Sequence, residues 1–130
     1  MGYALTVTTS EPFDTTLQAT RDALAEQGFG VLTEIDIAAT LQAKLGETVP
    51  PQVILGACRP PLAFAALQAE PSVGLLLPCN VTVRAGEDGG SVVEALDPGI
   101  MVGLTENHGL ADVASEARQR LSAALESLGS

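Results

Sequence analysis

Two cysteines, one histidine and a few carboxylates hold most of the chemistry this chain could perform. Cys58 closes the apolar run Val53-Ile54-Leu55-Gly56-Ala57 and stands just before Pro60-Pro61, where the spacing predicts the start of a helix. A helix N-terminus carries partial positive charge, which stabilises a thiolate and lowers its pKa, and the adjacent Arg59 adds to that field. Such a thiol could be reactive or carry a persulfide. The plainer reading is that Cys58 packs as a small hydrophobe, as free cysteines commonly do. Cys79 follows Pro78, which could break a strand and expose the sulfur. It also shares parity with Val81 and Val83, which turns its side chain inward, so core packing is again the plainer role. Both thiols are expected near strand ends that could adjoin in one sheet, where they could form a transient disulfide or hold a soft metal. The interval from 58 to 79 matches no ligand motif, and zinc would need two further ligands from His108, Met101 or scattered carboxylates. Copper(I) accepts two thiolates and a thioether, which brings Met101 into the candidate set. No metal is assigned by these residues.

The remaining polar candidates have structural work to do. Glu34 and Asp36 are close enough to bind a cation or do acid–base chemistry. Asp36 also reads as a helix N-cap, which leaves Glu34 on the surface. Asp97 precedes Pro98 and reads as the cap of a short helical turn. His108, the single histidine, has no nucleophile or orienting partner near it in sequence and reads as a solvated loop residue or part of a cap. The stretch Gly86-Glu87-Asp88-Gly89-Gly90 is rich in glycine, but its two carboxylates would repel a phosphate, and no Walker or dinucleotide fingerprint occurs.

The elements that must position these residues follow from periodicity. Tyr3, Leu5 and Val7 alternate with polar neighbours, as in a half-buried strand. Phe13, Leu17 and Leu24, with Thr20 and Ala23, line one face of a helix that Gly28 stops. A short strand is expected from Gly30 to Ile35. Ile37, Leu41 and Leu45 then mark a helix that Gly46 ends. Gln52 to Cys58 reads as a strand covered on both faces, because its apolar run is continuous. An Ala-rich helix runs from Pro60 to about Glu70. Val73 to Arg84 reads as extended with a break at Pro78, and beyond it Val81 and Val83 point opposite to Asn80, Thr82 and Arg84. The glycine-rich turn at 86–90 joins this strand to Ser91–Leu96 as a hairpin. Leu110, Val113, Ala114, Ala117, Leu121, Ala124, Leu125 and Leu128 trace one stripe of a long amphipathic final helix. Mixed helices and strands with a hairpin predict the α+β class, a sheet with helices packed on it.

Composition sets the outer bounds. The 130 residues fit one domain, 1–130, able to bury roughly 68% of its unfolded surface without a metal or disulfide staple. Its core must be aliphatic, since 46% of residues are hydrophobic but there is no Trp, one Tyr and three Phe. Six basic residues against sixteen acidic ones give a net charge of −10, which argues against nucleic acid and against anionic membrane surfaces as partners. The start lacks a basic stretch followed by an apolar run, and the longest apolar stretch, around Val73 to Leu77, is too short to span a bilayer. A cytoplasmic location with both thiols reduced is the expectation.

Four segments together carry a resemblance. Gly28-Phe29-Gly30-Val31-Leu32-Thr33-Glu34-Ile35-Asp36, then Ile54-Leu55-Gly56-Ala57-Cys58 with Pro60-Pro61-Leu62-Ala63, then Leu75-Leu76-Leu77-Pro78-Cys79-Asn80-Val81, then Glu94-Ala95-Leu96-Asp97-Pro98 resemble, in order and spacing, the signatures of the domain-of-unknown-function 302 family. The resemblance implies a small, curved, mainly antiparallel sheet with helices on one side, similar to the TATA-box-binding-protein arrangement. It implies frequent homodimers and no established activity. It also places a histidine, in some relatives, where this chain has Phe64, so a metal or haem role resting on that histidine does not carry over.

Two functional expectations stand side by side. One is a binding module acting as a homodimer, taking a small molecule or a protein in a cavity or groove bounded by Cys58, Cys79 and Met101, with no cofactor. The other is a thiol-dependent protein handling sulfur, redox equivalents or a soft metal through Cys58 and Cys79. Glu34 and Asp97 complete the set of candidate site residues.

Overall fold

The computed structural model describes residues 2–129. Strand β1 (Ala4–Thr9) leads to helix α1 (Phe13–Glu26), then β2 (Gly30–Asp36), α2 (Ile37–Leu45) and β3 (Gln52–Cys58). Helix α3 (Pro60–Ala69) and a 3₁₀ turn (Pro71–Leu76) precede the hairpin of β4 (Cys79–Ala85) and β5 (Ser91–Leu96). Helix α4 (Ile100–Thr105), a short 3₁₀ turn (His108–Leu110) and α5 (Ala111–Glu126) complete the chain. Local signals explain most boundaries. The Asp36 carboxylate accepts from the Ala39 amide at 2.9 Å and so satisfies one of the free N–H groups that open α2. Gly46 ends that helix in the left-handed conformation, φ 71°, which costs a residue without Cβ nothing.

The five strands form one open antiparallel sheet in the order β1-β5-β4-β3-β2. Period-two alternation divides it into two faces. Leu55, Val81 and Ala95 lie in one row across the strands, and Val53, Val83 and Val93 in the next. These six are buried together with Leu17 and Leu24 of α1 and Leu121, Ala124 and Leu125 of α5. On the other face Asn80, Thr82 and Arg84 stand beside Glu94 and Leu96 and remain exposed or half-buried. A second cluster joins Ala66 of α3, Val73, Met101 of α4, Leu110 and Ala114 of α5. It closes the end of the layer where β3 runs out and β4 begins.

Two expectations are corrected. The segment Val73 to Leu77 is not extended: Pro71–Leu76 forms a 3₁₀ turn, with the Val73 amide donating to the Glu70 carbonyl. Val73 is buried beneath that turn, while Leu75 is 89% exposed, so the apolar run is divided between inside and outside instead of feeding a strand. Nor is β3 covered by helices on both faces. On its open side Ile54 is half-buried, and only Gly56 is sealed, by Thr33 and Pro78. The strand reads as continuously apolar because its open-face positions within the run are Ile54, an apolar side chain left half-buried, and Gly56, which has none.

Candidate functional site

The corner where β3 ends, α3 begins and β4 starts encloses a small cavity of about 30 Å³. By the measure on which one water needs ~10–15 Å³, it admits a single small molecule. Its wall includes Cys58, Cys79, Met101, Phe29, Leu62 and Ala66. Each arrives there for a local reason. Cys79 lies opposite Ala57 and shares the inward parity of Val81 and Val83, so it packs against the main core. Met101 is buried in the second cluster because α4 turns inward after Pro98. Cys58 is the last residue of β3 and is half-buried at the cavity edge.

Electrostatics at this corner run against an activated thiol at Cys79. Both cysteines are free, and the register opposes Cys79 to Ala57, not to Cys58. Burial, reinforced by the neighbouring Cys58, pushes the Cys79 thiol above its ordinary range. The start of α3 offers Cys58 little. Pro60 and Pro61 have no N–H, and the next two amides, of Leu62 and Ala63, both donate to the Arg59 carbonyl. Arg59 itself turns aside: its Nε donates to the Gln27 carbonyl at 3.1 Å and its guanidinium lies 3.8 Å from the Glu116 carboxylate. The positive end expected to face Cys58 is occupied elsewhere.

The other candidates do not join the corner. Glu34 forms a two-pronged ion pair with Arg21 of α1, at 3.0 Å and 2.7 Å, and that hydrogen-bonded guanidinium holds its carboxyl below the usual range. Asp97 accepts from the Gly99 amide at 2.9 Å and from Arg118 Nε at 3.0 Å. It therefore orders the approach to α4, whose cap position is Gly99 and not Asp97. His108 is exposed and opens the second 3₁₀ turn. Among the described residues, no three His, Cys, Asp or Glu side chains gather to hold a metal ion, and no helix is long and apolar enough to cross a membrane.

Sequence reasoning overlooked a polar cluster on the open face of the sheet. Glu94 receives a hydrogen bond from Thr6 Oγ1 at 2.9 Å on one oxygen and the Arg84 guanidinium on the other. Arg84 and then Thr6 hold its carboxyl below the usual range. The signal was present in the hairpin. A turn at 86–90 sets Thr82 opposite Glu94, which brings Arg84 within diagonal reach of it on the same face.

No curated protein matches the chain. A crystal structure of an uncharacterized conserved DUF302 protein from Bacillus stearothermophilus has the same fold, with a TM-score of 0.90 and 30% sequence identity over 98% of this chain and 99% of that one. The model of the family described as domain of unknown function DUF302 matches residues 5–128. With one model spanning nearly every residue and a solved relative following it end to end, the chain belongs to the DUF302 family.

Proposed function

We propose that this protein is a binding module acting as a homodimer, with the corner cavity as the seat of a small apolar ligand. The observation that carries the reading is the cavity wall. It is built from aliphatic, aromatic and sulfur-bearing side chains, while the one charged residue bordering it, Arg59, directs its Nε to the Gln27 carbonyl and its guanidinium toward Glu116. A site of that kind rewards removal of apolar surface from water and supplies no base or electrophile for catalysis. Xenon is the probe of matching size and chemistry. Xenon pressure should shift the methyl resonances of Leu62, Ala66 and Met101, and Ala63→Leu, which fills the space from α3, should abolish those shifts. Xenon shifts scattered over the protein, or unaltered by Ala63→Leu, would sink the proposal.

The dimer is supported by α2 and β2. Helix α2 has nine residues and no buried side chain. Helices shorter than ~12–15 residues are marginal in water unless packing supports them. Beside it, β2 is an edge strand that leaves Leu32 66% exposed, and Leu45 at the end of α2 is 68% exposed. A second copy laid along this edge would cover these groups. Sedimentation should then give a dimer at micromolar concentration and a monomer for Leu45→Glu. A monomeric parent protein would refute it.

One observation favours a second reading, sulfur or soft-metal handling: Cys58, Cys79 and Met101 all border the same cavity. It requires a thiolate that forms readily at neutral pH, which thiol labelling decides.

A further inference from the structure

The open face of the sheet carries a groove of about 380 Å³ whose lining includes Glu94, Arg84, Ala4 and Leu96. We infer that this groove is a site for a small zwitterion of amino-acid size, whose ammonium meets Glu94 and whose carboxylate meets Arg84.

The inference starts from how Glu94 is held. Thr6 and Arg84 each engage one of its oxygens, so the carboxylate is fixed in place and keeps its charge. Each oxygen retains a second lone pair for another donor. Arg84 makes this single side-chain contact among the described residues, which leaves most of its five N–H donors free. Around the pair, Asn80, Thr82 and Gln52 line the groove with two amides and a hydroxyl that water can reach, Asn80 being exposed and the other two half-buried. Tyr3 closes the groove beside β1. Donors and acceptors therefore converge on a space suited to a small molecule.

Charge selects the ligand class. Glu94 and Arg84 are the one acidic and one basic side chain lining the groove, so the lining is neutral overall. A simple anion would gain Arg84 but lose against Glu94 and against a chain of net charge −10. A simple cation would meet Arg84 beside Glu94. A molecule carrying both charges a few bonds apart satisfies both side chains, and the neighbouring amides can bind its polar remainder. Charge-assisted hydrogen bonds of this kind are the stronger ones and give orientation as well as affinity.

The test is titration of isotope-labelled protein with the common L-amino acids, added singly at millimolar concentration and followed by backbone amide shifts. At least one should saturate shifts confined to Asn80, Thr82, Arg84 and Glu94 and their strand neighbours. Its methyl ester, a cation, and its N-acetyl derivative, an anion, should each bind about tenfold more weakly or worse, because each loses one charged contact. Glu94→Gln should weaken the parent zwitterion by a similar factor, with the amides of α5 unchanged as the check on folding. If that variant fails to fold, Asn80→Ala, an exposed change, takes its place and should weaken binding in the same direction. Absence of localised shifts with every amino acid, equal binding of a charge-blocked derivative, or unchanged affinity in the folded variant overturns the assignment.

Discussion

Iodoacetamide reacts with a thiolate, so its rate at Cys79 measures how far the folded protein suppresses ionisation there. An ordinary cysteine, with a pKa of about 8.5, is roughly 3% thiolate at pH 7. Burial and the neighbouring Cys58 push the Cys79 thiol higher, and each unit removes about a further factor of ten in thiolate. Cys79 in the native protein should therefore label more slowly at pH 7 than the same residue in the urea-unfolded chain. Native and unfolded samples, quenched over time and read by peptide mass spectrometry, give the ratio directly. The linkage has a definite sign. The folded state keeps its proton where the unfolded thiol has lost one, so this contribution to stability is intact below the ordinary thiol range. It declines as the pH rises through that range toward the raised value. Cys79→Ala should flatten that alkaline decline. Native labelling of Cys79 at pH 7 as fast as in the unfolded chain would refute the reasoning and move the sulfur-handling reading ahead of the binding one.

Two further outcomes test the frame around these sites. Gly56→Ala would bring a methyl group 2.9 Å from Pro78 Cγ and closer still to Thr33 Oγ1, and overpacking of this kind costs ~1–3 kcal/mol in a denaturant titration. Adding Thr33→Ala should recover part of the loss, since it removes the crowding hydroxyl and leaves Thr33 Cβ at an ordinary 3.5 Å, while the contact with Pro78 Cγ remains. Glu94 is held below its usual pKa by Arg84 and Thr6, so its contribution is present above the ordinary glutamate range and disappears as pH falls through the lowered value. Melting temperature should accordingly fall less steeply on acidification in Glu94→Gln than in the parent protein.

Features governed by neighbours in the chain were legible in the sequence. The alternation of Val81 and Val83 against Asn80, Thr82 and Arg84 is a property of the pleat itself, and the structure retains it. The α5 stripe, with Ala114, Ala117, Leu121, Ala124 and Leu125 buried, follows from helical period alone. Asp36 caps α2 because its carboxylate needs only the amide three residues ahead. The four segments resembling DUF302 signatures identified the family that the whole-chain comparison shows.

What depended on partners far along the chain was not legible. Hydropathy made Val73 to Leu77 look like a strand. Yet the sheet's neighbours for β3 and β5 were already filled by β4, and Val73 found burial against Met101 and Leu110 instead. Arg59 stands next to Cys58 in sequence, but the carbonyl of Gln27 and the carboxylate of Glu116 draw its guanidinium away. That Cys58, Cys79 and Met101 border one cavity without the two cysteines pairing, and that Thr6, Arg84 and Glu94 meet on one open face, depends on strand order and register. By itself the sequence determined which residues could face inward and where helices start and stop, because those are short-range matters of period and hydrogen bonding. Only the tertiary structure decided which inward or outward residues meet, because long-range strand pairing sets those distances, and the burial of Cys79 and the hydrogen bonds to Glu94 that follow set the direction of their pKa shifts.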